Sequence, residues 1–299
     1  MKIKKLILDT DLGGDCDDAG ALAVAINLKK QGFVDILCIT HCIANHYGAY
    51  CLEAIKHWFA EDEIPLGYYT DDDKMSEAVY ERFTRPVAEM HFKNGNYPIY
   101  ENSLKLLRKT LANNGGGKDI TLTAIGPLMN ISLLLQSKGD SISPKTGIEL
   151  VAENVEKIVL MAGNFEDSNM HEWNIIMDIK AAQNTVNLSP VPIIFCGYEL
   201  GEKVIIGKSL EFMPENYPVR ELYYYFNNKE QFGRSSWDLQ TVYYSVMGEE
   251  NLWTLEEGYD IKVEDNGATL YKKGGKHSFL KKKASFEDVS EKIEQFIKA

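Results

Sequence analysis

The sequence predicts an α/β fold: a doubly wound, mainly parallel sheet flanked by helices, with a small β meander near the C-terminus and residues 1–299 in one domain. Three observations predict it. Short apolar runs alternate with longer Ala- and Leu-rich stretches over about 200 residues, the pattern of repeated strand-helix-strand units. The apolar runs end abruptly in acidic residues, glycine or asparagine, as buried strands do on entering a loop. A chain of 299 residues with 44% hydrophobic side chains can bury a sizeable core without disulfide staples.

Leu6-Ile7-Leu8 reads as the first strand, followed by a helix from Ala19 to Leu28. Val34 to Thr40 is the next strand, Tyr50 to Ala60 a helix, and Ile64 to Gly67 a short strand. Residues 68–100 are polar and aromatic without a clear period and are read as a candidate active-site lid. A helix from Glu101 to Ala112 follows, then a strand from Ile120 to Ala124, a turn at Gly126-Pro127 and a helix through Leu135. Lys157 to Met161 and Val191 to Phe195 are further strands, with a helix near Ile179 to Asn187 between them. Trp253 to Lys273 reads as the meander and Phe286 to Ile297 as an amphipathic terminal helix. In such sheets ligands sit at the carboxyl ends of the strands, so the chemistry is expected there.

The 44 acidic and 32 basic residues give a net charge of −12. A surface that acidic repels phosphate backbones, which argues against nucleic acid as the main partner. It suits a site that collects carboxylates for a hard cation. The five cysteines form no CxxC pair. Cys38, His41, Cys42 and nearby His46 raise zinc as a possibility, but no second Cys/His pair completes a site. Reduced, buried thiols in a cytoplasmic protein are the simpler reading. The apolar stretch before Asp9 is too short for a signal peptide, and no run approaches the length of a membrane span. The expectation is therefore a soluble, cytoplasmic protein with no membrane partner.

The most informative segment is Asp9-Thr-Asp-Leu-Gly-Gly-Asp-Cys-Asp-Asp18, with five aspartates in ten residues. On a surface helix such a cluster would be a solvated face. Here it follows a buried strand, where solvation is hardest, and the carboxylates repel one another unless a cation binds. Hard divalent ions take oxygen ligands, and the two glycines let the backbone fold closely around an ion. Two other readings fail on detail. An EF-hand starting at Asp9 would need Glu where Gly20 stands, and a helix before it. A dehalogenase-type phosphatase also starts with a strand and Asp-x-Asp, but normally continues Gly-Thr, whereas this chain continues Leu12-Gly13-Gly14.

Asp9-Thr-Asp-Leu-Gly with Asp17-Asp18-Ala19 resembles the signature of the inosine-uridine nucleoside hydrolase family. Many members read Asp-x-Asp-Pro-Gly-x-Asp-Asp-Ala. This chain has Leu12 for the proline and two additional residues before Asp17, and Asp15 fits a longer form of the motif. Four more segments are similar to family motifs in the right order. They are His41-Cys-Ile-Ala-Asn45, Thr121-Leu-Thr-Ala-Ile-Gly-Pro-Leu-Met-Asn130, Ile158 to Asn164 followed by Glu172-Trp-Asn-Ile175 and Asp178, and Ser236-Trp-Asp238.

The resemblance implies hydrolysis of the N-glycosidic bond of ribonucleosides. It implies Ca²⁺ held by Asp11, Asp18, Asp238 and the backbone carbonyl of Ile125. Asp11 is then the general base that takes a proton from water, and Asp9 either shares in the site's chemistry or only orients Asp11 and the loop. Asp17, Asn45, Glu172 and Asn174 are expected to bind ribose, with either Asn164 or Asn169 adding a contact. On an extended segment Glu172 and Asn174 would face the same side and Trp173 would point into the protein. Relatives are commonly dimers or tetramers, so a homodimer or homotetramer is expected.

One departure concerns Trp237, which stands where purine-accepting relatives carry a proton-donating His. Trp can stack on a base but is no general acid. His91, in the candidate lid, is read as either a base-side group or a surface histidine. Tyr223, Tyr224, Tyr225 and Tyr243 are read as either base-pocket or core residues. The competing functional reading is a nucleoside- or ribose-binding protein that keeps the metal site but turns over little.

Overall fold

The computed structural model describes residues 3–70, 81–93, 95–167 and 169–298. Strand β1 (Lys4–Thr10) lies near the middle of a nine-stranded sheet, between β2 (Val34–His41) and β5 (Ile120–Ala124), and is parallel to both. Beyond β2 come β3 (Leu66–Tyr68) and β4 (Glu101–Asn102). Beyond β5 come β6 (Val155–Met161) and β7 (Ile193–Cys196), all parallel. The chain thus builds outward from β1 in one direction, returns, and builds outward in the other. The reversal leaves a crevice at the carboxyl ends of β1 and β5, where open α/β sheets bind ligands.

Alternation along β1 explains the two-faced core. Leu6 and Leu8 face one apolar layer and Ile7 the other. The first layer holds α1 (Asp17–Lys30), α2 (His46–Trp58), α3 (Thr84–His91), α10 (Pro218–Phe226), α11 (Asp238–Met247) and α12 (Phe286–Glu294). The second holds α4 (Ser103–Asn113), α5 (Met129–Gln136), α6 (Gly147–Asn154) and α8 (Ile179–Leu188). Helix α1 is buried around most of its circumference, from Asp17 through Ile26. A Cβ on Gly20 would sit 2.5 Å from the Tyr223 hydroxyl and 3.1 Å from Leu239, so α1 can approach α10 and α11 only with glycine there.

Helix α1 begins two residues earlier than predicted, because Asp17 and Asp18 form its first turn, where carboxylates complement the helix dipole. Helix α2 begins earlier as well, since Asn45 caps it by accepting from the Gly48 amide at 3.2 Å. Helix α6 was not expected. It carries a complete Thr146/Glu149 capping box. The C-terminal antiparallel segment is a hairpin, β10 (Trp253–Val263) and β11 (Thr269–Lys282), that joins the main sheet through β11 beside β7. A second, two-stranded antiparallel sheet pairs β8 (Ile205–Ile206) with β9 (Arg234–Ser235).

Part of the candidate lid, 71–80, lies outside the described residues. Its described part includes α3, which packs against α2 and α10 rather than over the carboxyl ends of the strands. No helix among the described residues is long and apolar enough to cross a membrane. All five cysteines are free and buried, and no described Cys/His group forms a metal-ligating cluster.

Candidate active site

At the mouth of the crevice is a cleft of about 260 Å³, walled by the loop after β1, the end of β5, the segment after β6 and the start of α11. Asp11 and Asp15 come from the first loop and Asp17 and Asp18 from the first turn of α1 that follows it, Ile125 from the end of β5, Glu172 and Asn174 from the segment after β6, and Trp237 and Asp238 from the start of α11. Carboxylate oxygens of Asp17, Asp18 and Asp238 all lie within 4.8 Å of one another, and all three residues are buried. Asp17 is drawn to α11 because its Oδ2 accepts the Trp237 and Asp238 amides, at 3.0 and 3.2 Å, at that helix's N-terminus. Asp18 turns back to β1, where its Oδ1 accepts the Thr10 hydroxyl and, at 3.2 Å, the Asp11 amide.

Burial is the main cause that pushes the Asp11, Asp17, Asp18 and Asp238 carboxyls well above the usual range, and repulsion from neighbouring carboxylates adds to it. A hard divalent cation relieves both effects, so the donor set fits one. Its densest part is Asp17, Asp18 and Asp238, with Asp11 beside it. Asp9 lies under the floor, fully buried. Its Oδ1 accepts from Asn130 at 2.7 Å and Thr40 at 2.5 Å, and burial raises its pKa to about 7.

Glu172 caps a short helix, α7 (Trp173–Met177), accepting the Asn174 and Ile175 amides at 2.7 and 3.1 Å and the Gly163 amide at 3.2 Å. Burial lifts its pKa to about 7 although these amides oppose the shift. The Asn174 Nδ2 donates to the Ile125 and Met161 carbonyls at 3.2 and 3.0 Å, which leaves its Oδ1 to meet a ligand. The expected inward turn of Trp173 is corrected. The chain becomes helical at Trp173, alternation stops, and the indole is 52% exposed in the cleft wall.

Four expected contacts stand outside the cleft wall, each occupied elsewhere. Asn45 caps α2. Asn164 closes a turn by accepting from Glu166 and Asp167. Asn169 is exposed and bonded to Asp167. His91 pairs with Glu221 at 2.7 Å, between α3 and α10. The four tyrosines are not in the wall either. Tyr223 and Tyr243 are core residues, and Tyr224 stacks on Phe232. The aromatic wall is Trp173, Tyr198 and Trp237 instead. The Trp237 indole N–H donates to the Tyr198 carbonyl at 2.9 Å, and the two rings pack 5.5 Å apart. Sequence reasoning also missed Arg234, which forks onto Asp15 with contacts of 2.6 to 3.1 Å and lies 5.3 Å over the Trp237 ring. An unbalanced fifth aspartate, with an arginine three residues before Trp237, was the available signal.

The sequence profile described as inosine-uridine preferring nucleoside hydrolase matches residues 6–291. The chain belongs to this family. The non-specific ribonucleoside hydrolase RihC of Klebsiella pneumoniae subsp. pneumoniae is 25% identical over 219 residues, 68% of this chain and 64% of that protein. The match therefore spans somewhat under two thirds of that relative's length. Among solved structures, the fold is shared with an inosine-uridine preferring nucleoside hydrolase from Bacillus anthracis, at a TM-score of 0.71 and 14% identity over 98% of this chain and all of that one. It is shared equally with the type III effector XopQ complexed with adenosine diphosphate ribose, at 0.70 and 13% over 99% of this chain and 92% of that one. The cleft thus sets a cluster of buried carboxylates beside an aromatic wall at the switch point of the sheet.

Proposed function

We propose that the chain is a Ca²⁺-dependent nucleoside hydrolase that cleaves the N-glycosidic bond of ribonucleosides. The observation that carries this reading is the buried triad Asp17, Asp18 and Asp238 beside Asp11, in a cleft with an aromatic wall, in a chain of this family. Asp11, Asp18, Asp238 and the Ile125 carbonyl would hold the ion. Asp17 lies close enough to share it, or to receive a sugar hydroxyl beside it. The bound cation would supply charge that fixes vicinal hydroxyls and acidifies a water. Asp11 would accept the proton of the attacking water, being kept ionised by the cation despite its burial. Asp17, Asn174 and Glu172 would orient the ribose. The surrounding carboxylates would stabilise the positive charge that develops on the sugar ring as the C1′–N bond breaks. Trp237 would stack on the base. Asn45, Asn164, Asn169 and His91 would reach the substrate only if their present contacts were given up. A homodimer or homotetramer is the assembly proposed, checked by light scattering.

The decisive experiment is reducing-sugar release from a panel of ribonucleosides and a nitrophenyl riboside, with and without chelator, alongside metal analysis. Full activity in a metal-free preparation sinks the reading. The competing reading, a binding protein with little turnover, draws on Trp237 at the acid position and on the effector that shares the fold. It predicts ribonucleoside binding without sugar release.

A further inference from the structure

Resting on that reading, we infer that Arg234, clamped by Asp15 against Trp237, is the leaving-group cation of the reaction: it stabilises the base as it departs with the bonding electrons. The argument starts from charge. Six carboxylates line the cleft, from Asp11, Asp15, Asp17, Asp18, Glu172 and Asp238, and Arg234 is the one cationic side chain among the described wall residues. That balance favours a sugar becoming positive. It opposes a base becoming negative in the same space. In hydrolysis the C1′–N bond breaks and its electron pair goes to the base nitrogen. The water oxygen bonds to C1′, a carboxylate takes the water's proton, and the base nitrogen later takes a proton from solvent. Until that last transfer the base carries negative charge. Trp237 cannot neutralise it, because its ring has no acidic proton and its N–H is already given to the Tyr198 carbonyl.

Arg234 is placed to do so. Its guanidinium lies 5.3 Å from the Trp237 ring, the surface on which a base would stack, and it is part of the same cleft wall. Trp237 directly precedes Asp238 of the carboxylate triad, so sugar and base subsites adjoin. Asp15 fixes the cation through three contacts, Nε to Oδ1 at 3.1 Å, Nε to Oδ2 at 3.0 Å and Nη2 to Oδ2 at 2.6 Å, while its Oδ1 also accepts the Cys16 amide at 2.6 Å. This orientation occupies Nε and Nη2 and leaves Nη1 for the base. The side chain is one-third exposed, so a substrate can reach it.

The test is leaving-group dependence. kcat/KM is measured for wild type, Arg234→Gln and Arg234→Lys on ribosides spanning poor to good leaving groups, from uridine and inosine to nitrophenyl riboside. Loss of one fixed charge-stabilising group costs on the order of 10²-fold. Arg234→Gln is expected to lose about that much on inosine and under tenfold on the nitrophenyl riboside, steepening the dependence on leaving-group acidity. Arg234→Lys is expected to recover part of the inosine rate. Guanidinium ion added to Arg234→Gln is expected to raise the inosine rate and not the nitrophenyl rate. Equal losses on every substrate, with circular dichroism unchanged, would overturn the inference and leave Arg234 as a clamp for Asp15. If wild type releases sugar from none of the substrates, the hydrolase reading itself fails, a separate outcome.

Discussion

Gly126→Ala tests the placement of Asp11 without altering any carboxylate. A Cβ at position 126 would lie 2.5 Å from Asp11 Oδ1 and 2.8 Å from both its Cβ and Cγ. Ordinary contact begins near 3.4 Å, so Asp11 must retreat by about 0.6 to 0.9 Å (3.4 − 2.8 and 3.4 − 2.5). The first two side-chain carbons are involved, not only the flexible end, so rotation about the last bond cannot relieve the clash. Gly126 does not need the left-handed backbone region, so alanine brings no backbone strain. The effect should fall on Asp11. Misplacing a reacting group by about 1 Å costs on the order of 10²-fold, and that is the expected loss in kcat/KM for a ribonucleoside, with weaker metal binding by calorimetry. Thermal unfolding separates the alternatives. A Tm near that of wild type with the activity lost is the expected pairing. Wild-type kcat/KM and metal affinity in a folded Gly126→Ala protein would refute the role given to Asp11.

Three further outcomes are expected. Arg108 is buried and bonded to Asp140, to the Ser137 hydroxyl and to the Ser143 and Lys145 carbonyls. Arg108→Ala should cost about 2–3 kcal/mol and lower the Tm without changing kcat/KM, because it lies outside the cleft wall. Glu172 has a folded pKa of about 7 against 4.5 in a free chain. The folded state therefore keeps the extra proton, and its contribution is present below pH 4.5 and lost as pH rises through about 7. Metal-free Glu172→Gln, though less stable at low pH, should show a flatter fall in Tm over that window than metal-free wild type. Deoxyinosine should be cleaved far more slowly than inosine, since each buried polar group left without a hydroxyl costs about 1–3 kcal/mol. Comparable turnover of the two would contradict the ribose contacts.

The sheet was legible because its signals are local. An apolar run ending in Asp9 or Ala124 announces a buried strand wherever the rest of the chain lies. The carboxylate loop was legible for the same reason, since four of the five acidic wall residues outside Glu172 fall between Asp11 and Asp18. What stayed hidden depends on distant partners. Arg234 meets Asp15 across 219 residues, and Asp17 caps α11 across 221. Neither link leaves a trace in spacing. Trp173 was misread for a different reason, although Glu172 and Asn174 share the cleft wall. An extended residue followed at once by a helix reverses the face that alternation assigns, and that junction is set by the amides Glu172 accepts. Asn45 shows the converse, as its cap to Gly48 is an ordinary local signal of a helix start.

The cleft also explains why a strongly acidic loop can follow a central strand. Four buried aspartates with raised pKa values disfavour the folded, metal-free state near neutral pH. Part of the offset is built into the loop, where amides at the start of α11 hold Asp17 and the Thr10 hydroxyl and Asp11 amide hold Asp18. These contacts leave the remaining carboxylate oxygens clustered and aimed at one another. Contacts that fully satisfied every oxygen would stabilise the fold and abolish the site. The same reasoning separates Asp15 from its neighbours. It alone among the loop's acids is paired with a cation from the protein itself, and Arg234 offsets part of the repulsion that Asp15 exerts on Asp17. Its removal should therefore act through Arg234 and the base subsite, whereas removal of Asp18 or Asp238 should act through the cation and the sugar.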